Sequence, residues 1–87
     1  MMWLSFVDPD KPEGDRFLGV AIVPDALEPV AAVKEAWRLK CNPGGEVCAA
    51  LIGANVASRI HVRYIGRLLT RYEALELQRE LKALEVS

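Results

Sequence analysis

The sequence predicts a small α+β domain, a three-stranded sheet in the order β-β-α-β-α with its helices packed on one face. Three observations predict it. Short runs of aromatic and branched apolar residues at 2–7, 16–23 and 46–52 have strand length and composition. Apolar residues recur at three- and four-residue spacing in 30–37 and 74–84, the period of a half-buried helix. Clusters of proline, glycine, asparagine and aspartate punctuate the segments between them. With 87 residues there is room for one domain, spanning 1–87.

Taken in order, Met2–Val7 carries Trp3, Phe6 and Val7 and forms the first strand. Residues 8–15 (DPDKPEGD) are a loop of prolines and acids with nothing to pack. Residues 16–23 leave almost no polar position, so both faces of this second strand should be covered. The cover on the second face is the last helix or a second copy of the chain. Gly19 inside the strand marks a bulge or a close approach to an aromatic. A helix opens near Asp25, which with Glu28 has capping-box spacing, or with Pro29 at its first position, where the missing N–H costs nothing. It runs to about Lys40 and buries Val30, Val33, Ala36 and Trp37. Asn42, Pro43, Gly44 and Gly45 end it, and the third strand follows. Residues 58–69 are ambiguous. Ile60, Val62 and Tyr64 alternate like a strand, whereas Ile60, Tyr64 and Leu68 share a helical face, and a short helix or irregular connection is expected. Thr70 and Glu73 form a clear capping box for a final helix with Ala74, Leu77, Leu81 and Leu84 inside.

Composition narrows the function classes. Hydrophobic residues make up 52% and charged residues 26%, which excludes a disordered or collagenous chain. The net charge of −1 supplies no general attraction to nucleic acid, which is not expected as a partner. No run approaches the ~20 apolar residues of a membrane span. The N-terminal residues lack a basic signal-peptide region, so a cytoplasmic setting with reduced thiols at Cys41 and Cys48 is expected. The near-neutral total conceals an uneven distribution. Arg59, Arg63, Arg67 and Arg71 occupy residues 58–72 with no acid among them, and acids outnumber bases on both sides.

The segment 17–23 (FLGVAIV), the helix with Ala32-Val33 and Ala36-Trp37, and the loop Asn42-Pro43-Gly44-Gly45-Glu46-Val47 resemble small proteins of phage and bacterial genomes. Arg67-Leu68-Leu69-Thr70 before an acidic helix is also similar, and the likeness covers about two thirds of the chain. No activity is assigned to that pattern. The resemblance implies a phage setting, in which small proteins act by blocking a host protein or sequestering a nucleotide signal.

The residues themselves offer two candidate sites. If 59–71 were helical, the four-residue spacing would line up the arginines, which give bidentate contacts to phosphate or carboxylate, with His61 and Tyr64 to orient or stack. The plainer alternative is a solvated face, or arginines paired with Glu73, Glu76 or Asp25. The Asn42, Gly44 and Gly45 backbone could make an anion nest, although it follows a helix C-terminus, whose dipole disfavours an anion, and a simple turn explains it equally. Cys41, Cys48 and His61 fall short of a closed metal site, and no cofactor is expected. Cys48 with His61 is the only nominal nucleophile–base pair and lies in an apolar strand, so an enzyme is not expected. Trp3 and Trp37 serve as core or as ligand-stacking groups.

These readings lead to a non-enzymatic homo-oligomer that binds a small anionic, nucleotide-like ligand. Its contacts would be Arg59, Arg63, Arg67, His61, Tyr64, Asn42, Gly44 and Gly45. The alternative is a protein-interaction module, docking on an acidic host partner through the arginine segment and the last helix.

Overall fold

In the computed structural model, which describes residues 1–86 with side chains through 84, the first two apolar runs pair antiparallel. They are β1 (Met2–Val7) and β2 (Phe17–Val23), linked by a loop with one 3-10 turn at Glu13–Asp15. The helix α1 (Pro29–Arg38) follows, with Pro29 at its first position and no side-chain cap from Asp25. It ends at Arg38, two residues before the expected Lys40, and Lys40 itself takes a left-handed φ of 61°. β3 (Glu46–Leu51) pairs antiparallel with β1 on the side away from β2. The ambiguous stretch is a short helix α2 (Ala54–Ala57), a 3-10 turn at Val62–Tyr64 and a two-residue strand, β4 (Leu68–Leu69). The helix α3 (Arg71–Val86) closes the chain.

The sheet therefore has four strands in the order β3-β1-β2-β4, not three. β4 pairs antiparallel with β2 through Leu68 and Leu69, a run too short to show alternation in sequence. The helices also divide between the two faces of the sheet instead of sharing one. Met2, Leu4, Phe6, Ala21 and Val23 face α1 through Ala32 and Ala36. Val20, Ile22, Leu69 and the buried Tyr64 face α3 through Ala74 and Leu77. The last helix is thus the cover that the apolar second strand demanded.

Strand β2 serves both faces, and a bulge near its start changes which residues do so. Opposite Phe6 and Val7 the register jumps from Gly19 to Phe17, leaving Leu18 unpaired. Across that step the alternation inverts: Phe17, Val20 and Ile22 point to the α3 face, and Leu18, Ala21 and Val23 to the α1 face. Gly19 adopts φ 146°, and a Cβ there would stand 2.6 Å from Leu68 Cδ1 and 2.9 Å from the Leu69 carbonyl. The close neighbour is a leucine of β4, not an aromatic.

Two corrections concern which residues are buried, one in α1 and one in β3. Its buried stripe is Ala32 and Ala36, while Val30 and Trp37 are 68% and 59% exposed. Small residues let the helix axis come close to the sheet, and the bulkier apolar residues are left one flank over. Likewise β3 lies at the sheet margin, so Cys48 is exposed, and only Cys41 is a buried thiol. Among the described residues, no helix is long and apolar enough to cross a membrane.

Gly19→Ala should destabilise the fold by about 2–3 kcal/mol, through the strained φ and the overlap with β4. Gly14→Ala, with open space around it, should be near neutral. Urea unfolding of the two variants measures the difference.

Candidate functional site

The arginine spacing does not produce an arginine face. Residues 54–67 change from helix to turn to extended chain and Arg71 begins α3, so the four guanidinium groups leave the backbone in different settings. Arg63 donates to the Glu76 carboxylate at 2.9 Å and to the Tyr64 hydroxyl at 2.7 Å, and its guanidinium carbon sits 4.7 Å from the Tyr64 ring centre. Tyr64 in turn donates to Glu76 at 2.9 Å. Burial, and then the Glu76 hydrogen bond, push the Tyr64 hydroxyl above its ordinary pKa. This cluster joins the 3-10 turn to α3 and keeps the one polar atom of a buried ring satisfied.

Arg67 forms a two-pronged ion pair with Glu73 and also donates its Nε to the Arg63 carbonyl at 2.6 Å. Glu73 belongs to the expected capping box: Thr70 N–H donates to its carboxylate and Thr70 Oγ1 accepts from its N–H, both at 3.2 Å. The Arg67 hydrogen bonds, and then the Thr70 N–H, hold the Glu73 carboxyl at about 2. Two of the three proposed ligand arginines are thus engaged by carboxylates of the same chain. Among the described side chains, no carboxylate pairs with Arg59 or Arg71.

The other expected contacts lie apart from this cluster. His61 is exposed and uses Nδ1 to accept from the Arg63 N–H, which starts the 3-10 turn. Arg59 borders a polar hollow of about 350 Å³ with Asn55 and Ser58. Asn42 folds back to accept the Gly44 N–H at 2.8 Å, an Asx turn. Gly45 has φ 75°, and a Cβ there would overlap the Val7 carbonyl at 2.4 Å. The Asn42 to Gly45 loop thus packs against β1, while Arg63 and Arg67 bind α3 on the opposite face. Among the described residues, no group of His, Cys, Asp and Glu could hold a metal.

A different feature emerges beside α3. That helix lies over β2 and β4 and leaves the β1 and β3 part of its face uncovered. One open groove, about 440 Å³, has Trp3, Ser5, Val7 and Phe17 on its floor, Leu75 and Gln78 on its wall, and Arg16, Arg71 and Glu13 at its rim. A second, about 310 Å³, continues past Ala50 and Ile52 between Leu81 and Lys82 of α3 and Val56 of α2. The two share Trp3 and Gln78 and form one trough along the helix. The Trp3 ring is tied to its neighbour on this floor, its Nε1–H donating to Ser5 Oγ at 2.9 Å. Strand alternation places Trp3, Ser5 and Val7 on one face, but the sequence carries no mark of which part of the sheet the last helix leaves bare.

Comparison of the chain with protein-family models, with curated proteins and with solved structures finds no match.

Two measurements check these assignments. The depressed Glu73 pKa means that the Arg67–Glu73 pair stabilises fully above the ordinary carboxylate value of 4.5 and is lost as pH falls toward 2. Glu73→Gln, which can still cap α3, should therefore remove part of the loss of stability across that interval in acid titration of the fold. Cys48 should alkylate in the native protein, and Cys41, whose pKa is raised by burial, only on unfolding. Mass spectrometry after iodoacetamide treatment reads both.

Proposed function

We propose that the protein is a non-enzymatic interaction module that seats an acidic, amphipathic segment of a protein partner in the trough beside α3. The carrying observation is the combination of an apolar floor and wall (Trp3, Val7 and Phe17; Leu75 and Leu81) with a rim on which Arg16, Arg71 and Lys82 outnumber Glu13. Such a surface offers hydrophobic contact to one side of a peptide and opposite charge to its flanks. Trp3 gives the floor a rigid aromatic anchor of the kind that dominates binding energy.

Small-anion binding by Arg59, Arg63 and Arg67 has less support. A phosphate at Arg63 or Arg67 has to compete with Glu76 or Glu73, carboxylates already in place at no cost in translational entropy. The Asn42, Gly44 and Gly45 loop would have to reach the same ligand from the far face of the sheet.

The test uses Trp37→Phe protein, which leaves Trp3 as the sole indole, and a helical peptide of alternating leucine and glutamate faces. Saturable change in Trp3 emission is expected, weakening with salt. Arg71→Glu or Lys82→Glu should raise the Kd at least about tenfold, and Arg63→Ala should leave it unchanged. An Arg63-dependent response to nucleotides, with none to the peptide, would reverse the assignment.

A further inference from the structure

The strand β3 is an open edge. Its pairing with β1 is regular from end to end, and it contains no proline, no bulge and no lysine or arginine, the usual guards of an exposed strand. Its one charge, Glu46, stands at the end. Val47 and Leu51 are 37% and 61% exposed.

The direction of its free hydrogen-bonding groups follows from the ladder. The Ile52 N–H donates to the Met1 carbonyl at 2.9 Å, and these residues are in register with the β1–β3 pairs. Hydrogen-bonded pairs alternate along an antiparallel ladder, so the even-numbered residues of β3 bond to β1. The N–H and C=O groups of Val47, Ala49 and Leu51 point outward. The cross-strand partners of those residues are Phe6, Leu4 and Met2, so their side chains share the α1 face.

We propose that this edge pairs antiparallel with β3 of a second copy about a two-fold axis through Ala49, making one continuous sheet. The register is self-complementary: Val47 meets Leu51 of the second copy, Ala49 meets Ala49, and each outward pair exchanges two hydrogen bonds. A two-fold axis perpendicular to the sheet keeps the α1 faces of both copies on the same side, and this register satisfies that condition. Charges also fit. Glu46 falls opposite Ile52 of the second copy, beside the groove that Lys82 of that copy borders.

On the same side of the sheet, α1 also leaves apolar side chains exposed, Val30 at 68% and Trp37 at 59%.

Sedimentation equilibrium should show a dimer. Val47→Lys and Leu51→Glu, both at exposed positions, should each raise its dissociation constant about tenfold or more, and the two together should bind more tightly than either alone, because each lysine then faces a glutamate. Ala49→Pro, which removes only an outward N–H, should give a monomer with unchanged circular dichroism. Ala50→Cys sets its new thiol opposite Cys48 of the second copy and should give a covalent dimer on mild oxidation. The unaltered chain and Cys48→Ser/Ala50→Cys should not crosslink. A monomer up to millimolar concentration, a dimer indifferent to Ala49→Pro and Val47→Lys, or an Ala50→Cys protein that stays uncrosslinked would each overturn the proposal.

Discussion

A sheet has two faces, and this chain has two long helices with which to cover them. Each is roughly half as wide as four strands spaced ~4.8 Å apart. α1 takes one face over β1 and β2, and α3 takes the other over β2 and β4. Strand β2 is covered on both sides, and β3 on almost none. That shortfall of cover is the constraint from which the trough follows, and it leaves the marginal strand β3 with little on either face.

The bulge at Leu18 and Gly19 makes the arrangement possible. Without the inversion, Phe17 would share the α1 face with Ala21 and Val23, and the floor of the trough would lose its ring. The glycine also lets β4 lie against β2 at a distance no side chain permits. The polar cluster of Arg63, Tyr64 and Glu76 then fixes the turn before β4 to α3. Its charges are spent on holding the fold together and are correspondingly less free for a ligand.

Much of this was legible in the residues and some of it was not. The first three strands, Pro29 at the start of α1, the Thr70 and Glu73 cap and the need for a second cover over β2 were readable because each depends on local chemistry. The strand β4 was not, since Leu68 and Leu69 carry no period. The α1 stripe misled because Val30, Val33 and Trp37 are as well spaced as Ala32 and Ala36, and hydropathy alone favours the larger residues. Closeness of approach, a tertiary property, favours alanine. The four-residue arginine period had no helix to make it a face, because the backbone changes conformation around Ser58 and again at Gly66. Arg63 and Arg67 pair with Glu76 and Glu73, while among the described side chains no carboxylate pairs with Arg59 or Arg71.

The two margins of the sheet are unequal. β3 offers six residues, whereas β4 offers two, immediately followed by a helix. A strand seeking partners at the β4 margin finds too few groups to hold it, so lateral growth has one usable side per molecule. If two copies join through β3 as proposed, growth along the hydrogen-bond direction ends with that single union, because the brevity of the last strand offers nothing at the other margin to extend it.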